Sequence, residues 1–144
     1  MKLVYKRAQI EDIQRIYELS KDLIDQYEDI QNIEYEKVLQ WVYKKIEKNI
    51  SEYSCIYVEN TKAGYVHFSE EDGMYEIDDL YIFDEYQNQG IGTQVIHQCI
   101  DQAENVIYLY VFIKNERAVS LYKRIGFKIT ETIKDTRYIM KYIK

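Results

Sequence analysis

Two glycines in a short polar segment are the residues of this sequence that are best placed to do chemistry. An apolar stretch leads into a polar turn and then into helical spacing, through Gln87-Asn88-Gln89-Gly90-Ile91-Gly92-Thr93. The first backbone N–H groups of a helix lack partners within it, and the helix dipole adds partial positive charge there. Because Gly90 and Gly92 have no side chains, phosphate oxygens can approach this backbone closely. The segment predicts an anion site, and we expect its ligand to be a pyrophosphate held by main-chain donors of residues 87–93.

A pair of glycines at this position has a second interpretation, since glycine also lets the start of a helix pack tightly. The spacing Gly-x-Gly alone does not decide between packing and anion binding. Two other phosphate motifs are absent from the sequence. There is no GxxxxGK[ST] loop, and no GxGxxG follows an N-terminal strand with a later ribose-binding acid. A P-loop site and a Rossmann site are therefore excluded.

A second segment helps to decide between packing and anion binding at the two glycines. Its sequence is Asn115-Glu116-Arg117-Ala118-Val119-Ser120-Leu121-Tyr122-Lys123-Arg124-Ile125-Gly126-Phe127. It resembles the N-x-x-A-x-x-L-Y-x-x-x-G-F signature of the GCN5-related N-acetyltransferases (GNAT). Residues 87–92 resemble the Q/R-x-x-G-x-G/A pyrophosphate loop of the same family. The two motifs occur in the family's order, and with the preceding strand they cover about residues 74–127. The resemblance implies an enzyme that transfers an acetyl group from acetyl-CoA to a primary amine.

The resemblance also implies where the coenzyme lies. In this family acetyl-CoA occupies a cleft where the fourth and fifth strands splay apart, and its pantetheine arm pairs with the fourth strand. This assigns coenzyme binding to the backbone near Leu80, Tyr81 and Ile82, in addition to the glycine loop. Asn115 is assigned a contact to the pantetheine or to the substrate side. Asparagine is also among the best helix N-caps, and the two roles do not exclude each other.

Two catalytic residues are implied by position. Tyr122 falls on the tyrosine of the second signature, which implies that its phenol protonates the coenzyme sulfur; the alternative is a packing tyrosine. Glu76 stands where histone-acetylating members carry a glutamate, which implies a general base. Asp78 and Asp79 are alternatives, and any of these acids could instead bind a cationic substrate or face solvent. Strand alternation places Glu76 and Asp78 on one face of the strand and Asp79 on the other.

The sequence departs from the family pattern at two positions. Ribosomal-protein-acetylating members carry a glutamate on the fifth strand, where this chain has Tyr110. The departure argues against a protein N-terminus as acceptor. Asp84 stands where many members have proline just before the loop, and because the loop glycines are intact we expect this change to be tolerated.

The elements that must position these residues follow from the hydrophobic periodicity. Helical spacing extends from residue 10 to about 27 and over residues 35–50, 90–104 and 115–125. Strand patterns cover residues 3–8, 53–59, 63–69, 74–83, 106–113, 127–132 and 137–143, with turns at 60–62, 71–73 and 134–135. The order β-α-α-β-β-β-α-β-α-β-β predicts one mixed α/β domain over residues 1–144. It agrees with the GNAT fold, a mostly antiparallel central sheet flanked by helices.

Composition limits the partners. The chain is 47% hydrophobic with a net charge of -6, which predicts a packed core and argues against a nucleic-acid partner. No segment approaches the roughly 20 apolar residues of a membrane helix, and the first residues lack the apolar region of a signal peptide. We therefore expect a cytoplasmic protein without a membrane partner. The acidic balance is compatible with a cationic amine substrate.

The remaining titratable residues are expected to have no role in catalysis or metal binding. His67 and His97 lack a second ligand at metal-like spacing, so we expect no metal site. Cys55 and Cys99 show no disulfide or redox spacing and are expected to be buried and inert. Glu11 and Asp12 are expected on a solvated helix surface.

The acceptor expected from these features is a small polyamine-like amine or a protein lysine. The alternative from another class of protein is an acyl-CoA sensor domain that keeps the coenzyme site without efficient catalysis. Because dimers are frequent in the family, the resemblance also allows a homodimer, but no segment of the sequence indicates an interface.

Overall fold

A single mixed sheet organises the computed structural model, which describes all 144 residues. Its strands are β1 (Leu3–Arg7), β2 (Tyr53–Val58), β3 (Thr61–Glu71), β4 (Met74–Ile82), β5 (Val106–Phe112), β6 (Lys128–Ile133) and β7 (Arg137–Ile143). Their spatial order is β1-β2-β3-β4-β5-β7-β6. All neighbours are antiparallel except β4 and β5, which are parallel. This confirms the predicted mostly antiparallel α/β architecture.

Four helices cover the two faces of the sheet. They are α1 (Ile13–Tyr27), α2 (Tyr35–Asn49), α3 (Ile91–Gln102) and α4 (Glu116–Ile125). One core lies between the sheet and α3 and α4, and it contains Val66 and Ile77. The other lies under α1 and α2, and it contains Tyr65 and Tyr81. Neighbouring strand residues enter different cores because successive side chains point to opposite faces. None of the helices combines the length and apolar content needed to cross a lipid bilayer.

The boundaries differ from the predictions mainly at turns. The hairpin between β2 and β3 turns at Glu59 and Asn60, whose φ angles are 50° and 68°, so the predicted turn at residues 60–62 is wrong. Two-residue hairpins of this kind require positive φ at both positions, which asparagine tolerates. Thr61 and Lys62 are therefore free to pair in β3. The predicted turn at Lys134 and Asp135 is confirmed, with φ angles of 50° and 58°.

The start of α1 corrects the expectation for Asp12. A 3-10 turn over Ile10–Asp12 precedes the helix, and Asp12 is 5% exposed rather than solvated. Its carboxylate accepts hydrogen bonds from the Lys62 Nζ at 2.6 Å, the Tyr65 hydroxyl at 2.8 Å and the Gln9 amide at 2.8 Å. Burial acts to raise the pKa of Asp12, but these bonds outweigh it and hold the pKa below its usual value. The cluster thus links α1 to β3.

We expect Asp12→Asn to destabilise the protein by about 2–4 kcal/mol at pH 7, because it leaves Lys62 without its buried partner. The pKa of Asp12 is lower in the folded than in the unfolded chain, so its contribution is present above the unfolded value of about 3.9 and is lost as pH falls below it. Urea denaturation at pH 7 and at pH 3 measures both effects. A wild-type-like midpoint for Asp12→Asn at pH 7 would contradict the assignment.

Both cysteines are buried, as predicted. Cys55 is 2% and Cys99 is 5% exposed. Burial raises the pKa of the Cys55 thiol to about 11 and that of Cys99 to about 12. The reactive thiolate forms are therefore scarce at neutral pH.

Candidate active site

A gap opens between β4 and β5. The two strands pair only at Tyr75 with Ile107 and at Glu76 with Tyr108, and beyond these residues they separate. On its other side β4 stays paired with β3 as far as Ile82. One backbone edge of β4 is consequently left without a neighbouring strand.

The open edge exposes the main chain of alternate residues. The Phe83 amide donates to the Ala63 carbonyl at 2.8 Å, so Phe83 and, two residues earlier, Tyr81 turn their backbone groups toward β3. By the same alternation Leu80 and Ile82 turn theirs toward the gap. The Ile82 carbonyl accepts a hydrogen bond from Gln87 Nε2 at 3.0 Å. Leu80, Tyr81 and Ile82 were all predicted to bind the coenzyme through their backbone. Leu80 and Ile82 turn backbone groups toward the gap. Tyr81 turns its backbone groups toward β3 and its side chain toward the α1–α2 face.

The glycine loop lies at the end of β4. A 3-10 turn over Asp84–Tyr86 leads into residues 87–90, and Gly90 caps α3 with φ 81° and ψ 8°. The first intrahelical bond of α3 is donated by the Gln94 amide to the Gly90 carbonyl at 3.1 Å. The amides of Ile91, Gly92 and Thr93 have no acceptor within the protein. The start of α3 is therefore a set of free donors beside the gap.

Packing explains neither glycine. A Cβ at Gly90 would meet nothing within 4 Å, so it is the left-handed backbone that selects glycine there. A Cβ at Gly92 would make ordinary contacts, 3.8 Å to Leu121 Cδ2 and 3.9 Å to Ile82 Cγ1. Glycine within a helix costs about 1 kcal/mol relative to alanine. The fold gains nothing from Gly92, which favours anion binding over packing.

Asn115 begins α4, and Arg117 of α4 contacts the glycine loop. Asn115 is the N-cap of α4, and its Oδ1 accepts from the Ala118 amide at 3.3 Å, which confirms the predicted cap. The Arg117 guanidinium donates to Gln87 Oε1 at 3.2 Å and to Asn88 Oδ1. Arg117 was not singled out from the sequence because it occupies a variable position of the signature. It adds positive charge to the loop.

A bulge brings three carboxylates to one face of β4. In the register with β3, His67 pairs with Asp79 and Phe68 pairs with Ile77, which leaves Asp78 as the extra residue. A bulge of this kind resets strand alternation. Asp79 consequently accepts hydrogen bonds from the Tyr53 and Tyr81 hydroxyls on the α1–α2 face. The prediction that Asp79 faces away from Glu76 and Asp78 is wrong.

Glu76 lies at the narrow end of the gap. Its Oε1 accepts a hydrogen bond from the Tyr108 hydroxyl at 2.9 Å, across the last paired residues of β4 and β5. Burial, followed by the negative charge of Asp78, raises the pKa of Glu76 to about 7. Burial also raises the pKa of Asp79, although the hydrogen bonds from Tyr53 and Tyr81 oppose it. A carboxyl with a pKa near 7 is well suited to accept a proton at neutral pH.

His67 lies against the same carboxylates. It is 3% exposed and stacks on the Tyr53 ring with centroids 4.5 Å apart. Its Nε2 lies 3.3 Å from Glu52 Oε1, and its Nδ1 lies 3.7 Å from Asp78 Oδ2. No three His, Cys, Asp or Glu side chains converge closely enough to hold a metal ion.

Tyr122 lies on α4 and packs against the core between the sheet, α3 and α4. Its ring packs edge-on against Phe127 at 5.6 Å, and its hydroxyl makes no hydrogen bond within the protein. Burial, with smaller effects of Cys99 and Asp79, raises the pKa of Tyr122 to about 12. The phenol is therefore protonated at neutral pH and free to donate to a ligand.

Comparison with known proteins agrees with this geometry. A sequence model of the Acetyltransferase (GNAT) family matches residues 13–127. An uncharacterized N-acetyltransferase of Methanocaldococcus jannaschii is 31% identical over 72 residues, which is 47% of this chain and 32% of that protein. The chain thus matches about a third of the length of this curated relative.

Solved structures share the fold over the whole chain. The PaiA N-acetyltransferase of Thermoplasma acidophilum, solved with coenzyme A, has a TM-score of 0.73 at 19% identity, with 100% of both chains covered. The spermidine N-acetyltransferase of Vibrio cholerae, solved with CoA and spermine, has a TM-score of 0.68 at 18% identity, with 98% of this chain and 95% of that chain covered. At these identities the likeness demonstrates the fold alone.

Proposed function

Because the chain belongs to the acetyltransferase (GNAT) family, we propose that it transfers an acetyl group from acetyl-CoA to a primary amine. The observation that carries the proposal is the set of free amides at the start of α3, placed beside the gap between β4 and β5. Glu76 accepts a hydrogen bond across the last paired residues of β4 and β5, and we assign the proton donor to Tyr122 of α4. The arrangement would supply an anion site, a proton acceptor and a proton donor.

The residues present fit an acetylated coenzyme. The amides of Ile91, Gly92 and Thr93 would hold the pyrophosphate, with Gln87, Asn88, Gln89 and Gly90 shaping the loop. The open backbone edge at Leu80 and Ile82 would hydrogen-bond the pantetheine arm as a neighbouring strand would. Asn115, which caps α4 at the end of the gap, would border the same arm.

The reaction needs two proton transfers and one displacement. Glu76 takes a proton from the acceptor ammonium, directly or through water, because only the neutral amine is a nucleophile. The amine nitrogen attacks the thioester carbonyl carbon, and the carbon–sulfur bond breaks. The Tyr122 phenol gives its proton to the departing thiolate and regains one from solvent. The new amide and the free thiol then leave.

The acceptor site proposed here is the carboxylate-lined face under α1 and α2. Glu76, Asp78 and Asp79 lie together there, and Lys45 of α2 is the cation that lowers the pKa of both Glu76 and Asp79. An acidic face of this kind attracts an ammonium group. A small polyamine-like amine or a protein lysine meets that requirement, and a spermidine N-acetyltransferase is among the proteins that share the fold.

We expect Tyr122→Phe to lower kcat by about 10- to 100-fold, because the thiolate would leave without a protonating group. The ring and its contact with Phe127 are kept, so the stability and the affinity for acetyl-CoA should stay at wild-type values. The assay follows thiol release from acetyl-CoA across a panel of amines. Unchanged turnover in Tyr122→Phe would contradict the role of Tyr122. Coenzyme binding without turnover on any amine would support a sensor domain instead.

A further inference from the structure

A shelf of aromatic side chains leads away from Glu76 along β5. Tyr108, whose hydroxyl bonds Glu76, is followed on the same face by Tyr110, and the two ring centroids are 6.2 Å apart. Arg137, on the neighbouring strand β7, places its Cζ 5.7 Å from the centroid of the Tyr110 ring. Tyr110 is 44% exposed. We call Tyr108, Tyr110 and Arg137 the acceptor shelf.

Arg137 has no anionic partner in the protein. No carboxylate lies within 4.0 Å of its guanidinium, and its Nε is buried without a hydrogen bond. A buried donor without an acceptor is unfavourable. By contrast, the guanidinium of Arg117 donates hydrogen bonds to Gln87 and Asn88. A planar guanidinium with free donors is best satisfied by a carboxylate, which it can bind through two parallel hydrogen bonds.

The two ends of the shelf carry opposite charge. Glu76 pairs with Tyr108, and Arg137 pairs with Phe112 four residues further along β5. At a rise of about 3.3 Å per residue the two positions are about 13 Å apart along the strand. Lys141 pairs with Tyr108 and lies on the same face as Arg137, which makes the β7 side of the shelf cationic. A polycation lying along the shelf would meet repulsion from both Arg137 and Lys141.

We propose that Arg137 binds a carboxylate of the acceptor, so that the acceptor is a primary amine whose molecule also carries a carboxylate within about 13 Å. A lysine in a short peptide with a free carboxyl terminus has this chemistry. The assignment rests on the proposed acetyl transfer, and it narrows the acceptor class toward lysine peptides and away from simple polyamines. Arg137 selects the acceptor and takes no part in the proton transfers.

The test uses two peptides that differ by one charge, Nα-acetyl-Lys-Gly-Gly with a free carboxyl terminus and its carboxyl-terminal amide, with spermidine as a third acceptor. The wild-type enzyme should have a KM about tenfold lower for the free carboxylate than for the amide. Arg137→Gln should raise the KM for the free carboxylate to that of the amide, with kcat and the KM for the amide unchanged. Arg137→Lys should keep part of the preference, because it keeps the charge but loses the fork of donors.

Arg124→Gln is the matched control, since Arg124 is exposed on α4 and forms no ion pair. It should leave both KM values unchanged. Equal wild-type KM values for the two peptides, or an equal rise of both in Arg137→Gln, would overturn the role of Arg137 while leaving acetyl transfer standing. Coenzyme binding with no turnover on any of the three acceptors would instead contradict the proposed function, and this assignment with it.

Discussion

Glu76→Gln is expected to lower kcat by about 100- to 1,000-fold, because the amine would lose its proton acceptor. Glutamine has nearly the same size as glutamate, and its carbonyl can still accept the hydrogen bond from the Tyr108 hydroxyl. The junction of β4 and β5 should therefore keep its geometry. The affinity for acetyl-CoA, measured by calorimetry, should be unchanged because Glu76 lies at the closed end of the gap.

The pH profile provides the specific signature of this role. Burial and Asp78 raise the pKa of Glu76 to about 7. A base acts only when deprotonated, so wild-type kcat/KM should fall as pH drops through about 7. In Glu76→Gln this acidic limb should disappear from the residual activity.

Asp78→Asn and Asp79→Asn are the matched controls for Glu76. Asp78→Asn removes a neighbouring negative charge, so the acidic limb should move to lower pH while most of the activity is kept. Asp79 is held by the Tyr53 and Tyr81 hydroxyls, and its removal should act mainly on packing. A larger loss of kcat in Asp79→Asn than in Glu76→Gln, at equal stability, would transfer the role of base to Asp79.

Gly92→Asp is expected to weaken acetyl-CoA binding by at least about 100-fold, because it places a carboxylate where phosphate oxygens would approach the α3 amides. The folded protein should tolerate the change. The Cβ would meet Leu121 and Ile82 only at 3.8 and 3.9 Å, and an acidic residue in the first turn of a helix is favourable. The expected result is an equal or higher Tm together with the loss of coenzyme binding.

Gly92→Ala separates charge from size. Alanine adds one methyl group and improves helix propensity by about 1 kcal/mol, so Tm should rise. Because the family pattern allows alanine at this position, acetyl-CoA should still bind. Wild-type affinity in Gly92→Asp would show that the start of α3 does not hold the phosphates. A sharp fall in Tm for both variants would show that Gly92 serves packing after all.

The sequence predicts best what depends on local chemistry. Periodicity located every strand and helix to within a few residues, and the spacing of Gly90 and Gly92 located the free amides of α3. The predicted turn at residues 60–62 begins one residue and ends two residues later than the observed turn at Glu59 and Asn60, because both positive φ angles become visible only when β2 and β3 are in register.

Features that depend on contacts between distant segments could not be predicted from the sequence. The bulge at Asp78 arises from the pairing of β4 with β3, and it moves Asp79 to the face of Glu76. Asp12 is buried because Lys62 and Tyr65, which are far along the chain, converge on it. His67 is buried, as expected of a structural residue, and its contact with Asp78 depends on the pairing of β4 with β3. In each case the residue type was visible in the sequence but its neighbours were not.

Titration calorimetry of the purified wild-type chain with acetyl-CoA tests most directly whether the amides at the start of α3 form a coenzyme site. We expect saturable binding at one site per chain, kept in Glu76→Gln and Tyr122→Phe and abolished in Gly92→Asp. Absence of any binding of acetyl-CoA or coenzyme A to the folded wild-type protein would contradict the coenzyme site and, with it, the acetyl transfer that depends on it.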